Sequence, residues 1–383
     1  MRKVLSIFLL FVFLFPALAF GEETDAELRT ALNQTFKSHK TTGGAIIVAR
    51  GDEIIFEHYY GTAVKSKKIP VSADTYFKIA SVTKLVSALR VMQLVESGQL
   101  DLDADISQYL GYEVQNPYYK KQKITLRMLM THTSSLNQGG GYARESNTLR
   151  SLISTDKVKR GNWYKEVPGS KYRYSNFGAG IMGSLIEAVD QINVQDSVYN
   201  NVFQPLKINA AYNAGLLQDP ENVAGLYKVD GSTAVSYKYS IEKAWDSSVN
   251  PDKHYRLTVG SLWMKPTDLC RIGMLMLNAG ELDGVRLLEE DTVAQMMESQ
   301  EGKGDITAKT PYGLCTHREE TLLPGKVLYG HQGMSGAVLC NMYFDPETEL
   351  VFVLCTNGCN NQMSNHVGHL TRKAFAAVWD YFN

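Results

Sequence analysis

Ser81 and Lys84 stand three residues apart at the start of the most apolar helical stretch in the sequence. A serine hydroxyl is a poor nucleophile at neutral pH and needs a base within hydrogen-bond reach to take its proton. On a helix, residues i and i+3 share one face, so backbone geometry alone holds Lys84 beside Ser81. The residues that follow include Leu85, Val86, Leu89, Val91, Met92, Leu94 and Val95. They are apolar nearly all round, as a buried central helix over about 81–97 requires. A lysine at the mouth of such a helix loses solvent, which favours its neutral, basic form. The same spacing recurs at Ser154/Lys157 and Ser240/Lys243, in polar surroundings that predict solvated surface.

Two further segments offer partners. Tyr174-Ser175-Asn176 follows the turn signal Pro168-Gly169 and precedes Ile181, Met182, Leu185, Ile186 and Val189 at helical spacing. It is predicted on a loop at a helix start, where side chains reach a cleft. A tyrosine near a lysine can share proton transfer, and an asparagine can hold a substrate amide through both donor and acceptor. Alone, the pattern also describes an ordinary capped loop, since Tyr199-Asn200-Asn201 matches it. Gly330-His331-Gln332-Gly333-Met334-Ser335-Gly336 is read as lying just before a strand. Small residues there let a substrate approach the backbone; the same residues also suit a simple turn.

These segments need a frame. Asp25 to Lys40 is predicted as an amphipathic helix with Leu28, Leu32 and Phe36 on one face. Gly44–Ala49 and Glu53–Tyr59 read as strands joined by Arg50-Gly51-Asp52. Strand signals return at 336–344 and 349–356 around the turn Asp345-Pro346-Glu347-Thr348. A helix from about His366 to Tyr381 closes the chain. Strands thus come from both ends and helices fill the middle. The economical reading is the α+β class: one antiparallel sheet built from both chain ends, flanked by terminal helices, with an inserted mainly helical region. The expected division is an α/β part, 20–80 plus 255–383, and a helical part, 81–254. Residues 1–19 read as a signal peptide, with basic Arg2 and Lys3, an apolar run broken at Pro16, and Ala17-Leu18-Ala19 for cleavage. That predicts an exported, periplasmic or secreted chain with no stable membrane span after cleavage.

Composition excludes other classes. Hydrophobic residues make up 44% and charged residues 21%, and the formal net charge is −1. No basic run marks nucleic acid as a partner. All five cysteines (Cys270, Cys315, Cys340, Cys355, Cys359) lie in the C-terminal third. An odd count leaves at least one thiol unpaired within a monomer. No Cys-x-x-Cys or His/Cys cluster has zinc spacing; His366 and His369 read as a solvated helix face. No metal and no cofactor are expected.

Taken together, Ser81-x-x-Lys84, Tyr174-x-Asn176 and His331-x-Gly333 resemble, in order and spacing, the serine β-lactamase-related hydrolases. These include class C β-lactamases, D-alanyl-D-alanine carboxypeptidases of the penicillin-binding type, D-aminopeptidases and esterases. Phe77–Lys84, Ile124–Leu136, Pro168–Gly178, Phe203–Leu206, the 260–280 stretch and Tyr312–Leu314 look similar too, so the likeness runs from about 40 to 380. It implies a β-lactamase/transpeptidase-like fold with the site between the sheet and the helical part. It implies Ser81 as acylated nucleophile, and Lys84 and Tyr174 as shared general base and acid. Asn176 would bind the substrate amide and Gly333 would keep a strand edge open. The backbone N–H groups of Ser81 and Met334 would form the oxyanion hole.

The third element departs from the Lys-Thr-Gly usual in β-lactamases. Facing the cleft, His331 would replace a fixed cation by a titrating one in binding substrate, and Gln332 lacks the threonine hydroxyl. Cys315 stands where many relatives have glycine. The expected activity is that of an exported serine hydrolase forming an acyl-enzyme on a small-molecule or peptide-like amide or ester. The alternative is a penicillin-binding sensor that is acylated but does not turn over. The natural substrate and oligomeric state are not legible at this level.

Overall fold

The run Gly43–Arg50 (β1) is apolar on both sides, and both sides are buried. Ala45, Ile47 and Ala49 enter one core, while Ile46 and Val48 enter another. Such a strand belongs at the centre of a sheet covered on both faces. A computed structural model describes residues 25–157, 160–364 and 367–383 and places it there. The expected signal peptide (1–19) and His366 lie outside the described residues.

The chain turns at Arg50-Gly51-Asp52, with Gly51 at φ 55°, and returns as Glu53–Val64 (β2). Ile69–Pro70 (β3) pairs with the far end of that strand. The other half of the sheet comes from the C-terminal third: His317–Glu319 (β4), Leu328–Ser335 (β5), Val338–Asp345 (β6) and Leu350–Thr356 (β7). The spatial order is β4-β5-β6-β7-β1-β2-β3, with every neighbouring pair antiparallel. The β1–β7 seam joins the two chain ends, pairing Ile47 with Val353 and Ile46 with Leu354. One reading is refined: the Gly330–Gly336 segment does precede the expected strand, which is β6, but it is no simple turn, since Gly330 to Ser335 lies within β5.

Five helices among the described residues matter to the sheet and the site: Asp25–Ser38 (α1), Thr83–Glu96 (α2), Asn176–Asp190 (α3), Pro266–Leu277 (α4) and His369–Phe382 (α5). α1 and α5 cover one face with Leu28, Leu32, Phe36, Leu370, Phe375 and Val378. On the other face, α4 lies close enough that a Cβ on Gly273 would sit 2.4 Å from a Val351 methyl. α2 and α3 pack on each other in the larger core, which runs on through the middle of the chain. α2 starts at Thr83 rather than Ser81, because Ala80–Val82 forms a separate 3-10 turn.

α2 and α3 are tied by a largely buried ion pair. Arg90 meets Asp190 through two hydrogen bonds of 2.7 and 3.1 Å, and Ser197 also donates to Asp190. Removing one partner of a buried pair strands the other charge. Arg90→Ala should therefore destabilise the fold by about 3 kcal/mol, read as a lower urea midpoint with an unchanged slope. A midpoint within error of wild type would show that the pair does not clamp the helices.

Candidate active site

The nucleophile turn hangs from a short antiparallel pairing. Phe77–Lys78 pairs with Trp263–Met264, and the Ile79 N–H donates to Leu262 O at 3.0 Å. Ala80 then adopts φ 46°, a left-handed conformation uncommon for a residue with a Cβ. Non-glycine strain of this kind concentrates where the surrounding fold over-determines a functional position. The turn presents Ser81 to a cleft, and α2 carries Lys84 beneath it.

Lys84 has no exposed surface. Its Nζ lies 3.0 Å from Ser81 Oγ and 2.7 Å from the carbonyl oxygen of Val259. Burial pulls the ammonium down to about 7. In the neutral amine, one N–H can hold Val259 O while the lone pair accepts the Ser81 proton. Tyr174 completes the group. Its hydroxyl shares a hydrogen bond with Ser81, and its ring centroid is 5.3 Å from Lys84 Nζ. Burial holds the phenol well above its ordinary range, so it stays protonated and can pass a proton rather than act as a standing phenolate.

The position of Tyr174 is set locally. Ser175 is the N-cap of α3, its hydroxyl accepting the Gly178 N–H at 3.0 Å. Asn176 is the first helical residue and lines the cleft, with its amide nitrogen donating to Gln138 Oε1 at 3.1 Å.

Opposite Ser81, β5 is paired with β4 only through Leu328–Gly330. From His331 to Ser335 its ladder continues on the β6 side alone. A Cβ on Gly333 would sit 2.4 Å from Ile79 O and 2.9 Å from the Ser81 nitrogen. Only glycine lets the strand lie against the nucleophile turn. The cleft between them has a volume of about 730 Å³. Its walls include Tyr172, Asn176, Tyr312, Gln332 and three methionines, Met297, Met334 and Met363.

His331 does not take the place considered for it at the mouth. It is 1% exposed, while its neighbours Gln332 and Met334 line the cleft. Strand alternation puts it on the Gly333 side, facing inward, where its ring centroid lies 5.5 Å from that of Tyr312. Burial first, then the nearby Lys84 charge, push its pKa well below the usual value. The other serines lie elsewhere. Ser154 is fully buried rather than solvated, accepting the Asp156 N–H, and Ser240 bonds back to its own helix.

Several neighbours carry no sequence motif of their own. Val259 contributes only its carbonyl. His132, fully inside, accepts the Ser175 N–H at 3.3 Å and lies 4.3 Å, centroid to centroid, from Tyr174. It belongs to the Thr-His-Thr segment of the resemblance, the one available signal. Burial lowers its pKa to about 3. Cys315 has φ 54°, which accounts for glycine in relatives at this place, and its thiol rests 3.6 Å from Met182 Sδ. Among the described residues, no group of three or more His, Cys, Asp or Glu is placed to hold a metal ion. Nor is any helix long and apolar enough to cross a membrane.

A serine with a buried lysine activator, set where a helical region meets an antiparallel sheet, is the organisation of β-lactamase-like serine hydrolases. Comparison with known proteins makes the assignment specific: the Beta-lactamase family model matches residues 28–375, and the chain belongs to that family. Esterase EstB of Burkholderia gladioli is 30% identical over 194 residues, covering 47% of this chain and 49% of EstB. Protein flp of Staphylococcus aureus (strain MRSA252) is 22% identical over 230 residues, covering 59% of this chain and 45% of flp. The chain thus spans about half the length of these curated relatives. The fold matches the octameric penicillin-binding protein homologue of Pyrococcus abyssi with TM-score 0.70 at 18% identity, over 92% of this chain and 77% of that one. It matches the D-amino acid amidase of Ochrobactrum anthropi SV3 with TM-score 0.68 at 20% identity, over 94% and 99%.

Two outcomes test the geometry. Gly333→Ala should keep the fold but push the strand off the nucleophile turn, lowering kcat/KM about 100-fold or more, on the scale known for misplacement in an active site. Near-wild-type turnover would show that the 2.4 Å approach is not limiting. Second, Lys84 can act as a base only when neutral. Activity should be flat above about 7 and fall below it, by about tenfold per pH unit once the ammonium dominates. His132 and His331 are held neutral over that range, so the limb belongs to Lys84. A pH–kcat/KM profile with no limb between pH 6 and 8 would contradict a buried amine base.

Proposed function

We propose that this serine hydrolase forms an acyl-enzyme on Ser81 and turns over neutral esters or amides. The observation that carries the reading is the contact of Ser81 Oγ with Lys84 Nζ at 3.0 Å, on a lysine that burial brings to about 7. Neutral Lys84 takes the Ser81 proton as Oγ attacks the substrate carbonyl. Charge developing on that oxygen meets the backbone N–H groups of Ser81 and Met334. Tyr174, kept as a phenol, gives its proton to the leaving group and is reprotonated from Lys84. Water then enters by the reverse relay and releases the acid. Asn176 holds the substrate amide or acyl group beside the strand edge.

The preference for neutral substrates follows from the walls. His331 is buried and neutral, so the fixed cation usual in β-lactamases is missing from that position. Among the described lining residues, the guanidinium of Arg318 is already paired with Glu320 at 3.2 Å, and Glu319 adds a carboxylate nearby. A substrate carboxylate gains little there, whereas the methionine and tyrosine walls suit an apolar group. The names of EstB and the D-amino acid amidase support ester and amide chemistry. We further propose that residues 1–19 direct export and are removed, and that 20–383 works as one hydrolase unit, with an α/β part (20–80 plus 255–383) and a helical part (81–254).

The test is one substrate panel on the purified chain: an apolar chromogenic ester, an amino acid amide, a D-alanyl-D-alanine peptide, a chromogenic cephalosporin and a fluorescent penicillin. The ester should be turned over fastest, and Ser81→Ala should abolish both turnover and labelling. Stable labelling with no turnover of any substrate would replace the enzyme reading by a penicillin-binding sensor. Lys84→Ala and Tyr174→Phe should each lose about 10²–10⁴-fold, with losses that do not multiply in the double variant. Because Gln332 rather than His331 reaches the cleft, Gln332→Lys should raise kcat/KM for the D-alanyl-D-alanine peptide relative to the ester by about tenfold, the value of one hydrogen bond to a charged group. An unchanged ratio would show that charge at this strand position does not set substrate class.

A further inference from the structure

Cys340 on β6 and Cys355 on β7 face each other directly in the antiparallel register. Their sulfurs are 3.1 Å apart, and neither residue has any exposed surface. The other three cysteines are elsewhere engaged. Cys270 is buried on α4, Cys315 touches Met182, and Cys359 accepts from Thr356 Oγ1 at 3.6 Å. Directly opposed positions bring Cβ atoms to about 4.5–5.5 Å, and a disulfide needs about 3.5–4.5 Å with sulfurs at about 2.05 Å. The strands therefore need only a small contraction to bond the pair.

We propose that Cys340 and Cys355 are a disulfide-forming pair, closed by thiol–disulfide exchange when the chain folds in an oxidising medium, while Cys270, Cys315 and Cys359 stay thiols. The oxidant is a small or protein disulfide, such as oxidised glutathione. One cysteine thiolate attacks a sulfur of that disulfide and expels one thiol, leaving a mixed disulfide. The second cysteine thiolate then displaces the other oxidant thiol and closes the bond. Two protons and two electrons leave the protein, and the oxidant is reduced to two thiols. Exchange needs a thiolate and access. In the folded chain neither sulfur is accessible, and burial holds the Cys340 thiol well above its usual range. The bond is consequently made while β6 and β7 are still open, and is then sealed in.

The position gives the bond a use. Cys340 pairs across to Gly333 and Cys355 pairs across to Ala45, so one row runs Gly333, Cys340, Cys355, Ala45. Among the described residues, the cleft edge of β5 pairs only with β6 along Gly333–Ser335. A bond across β6 and β7 in that row braces the strand against which Ser81 works.

The experiment unfolds the reduced full chain in urea and refolds it in a mixture of reduced and oxidised glutathione. Remaining thiols are alkylated after denaturation and the unreduced digest is mapped. One linked species should join the peptides holding Cys340 and Cys355, with the other three cysteines alkylated. Cys359→Ala should keep the link, and Cys340→Ala should remove it and leave every remaining cysteine alkylatable. The oxidised form should melt roughly 5 °C above the form kept in reductant, a gap absent from a Cys340→Ala/Cys355→Val variant. Five alkylatable thiols after oxidative refolding, or a link through Cys359, would overturn the proposal. The same map on chain folded in an oxidising host compartment applies if refolding yields no soluble protein. Turnover is measured alongside, so a chain that links correctly but hydrolyses nothing counts against the enzyme reading alone.

Discussion

The candidate site depends on keeping one amine dry. Lys84 would be an ammonium in water and useless as a base; with no exposed surface it is pulled to about 7. That requires a helix buried around its first turns, which α2 is, with Leu85, Val86, Ala88, Leu89, Val91 and Met92 all inside. It also requires that the dry amine not be left without partners, since an unsatisfied buried polar group costs about 1–3 kcal/mol. Ser81 Oγ and Val259 O supply them. The Arg90–Asp190 pair and the Ser175 cap then hold α3, and with it Tyr174, at the same point.

The sheet is the second requirement. A nucleophile on a helix is open to solvent unless something closes the other side of the cleft. β5 does this, and it can do so only because Gly333 has no Cβ to strike Ile79 O. Ala80 accepts a left-handed backbone at φ 46° on the facing turn. Strain on one wall and a missing side chain on the other produce the same result, which is two backbones in close approach at Ser81.

Much of this was legible in the sequence, for a physical reason. Burial on both faces of β1 and β7 shows as unbroken apolar runs, and burial of α2 shows as a helix apolar nearly all round. The i, i+3 relation of Ser81 and Lys84 needs nothing beyond helix geometry. What was not legible depends on tertiary contact. Val259 acts through its carbonyl, which every residue has. Ser154 sits in a polar segment and yet is buried, its hydroxyl oxygen accepting the Asp156 N–H. The 3-10 turn before Thr83 follows from pairing with Trp263–Met264, far along the chain.

His331 is the most informative departure. Considered by residue type, a histidine in the place of a usual lysine suggests a charge that titrates near neutrality. That argument assumes solvent at the imidazole. The structure instead packs it against Tyr312, close enough to Lys84 and His132 for their charges to oppose its own. Like charges crowded in a low-dielectric space cannot all be held, so protonation goes to the group best able to bear it. Among these three, the two imidazoles are driven well below neutrality while Lys84 remains at about 7. Placing neutral rings rather than a second ammonium beside Lys84 removes a repulsion that would lower the amine further. The amine is therefore tuned by burial, to about 7, and the cost is that β5 presents no fixed cation to the cleft beside Gly333.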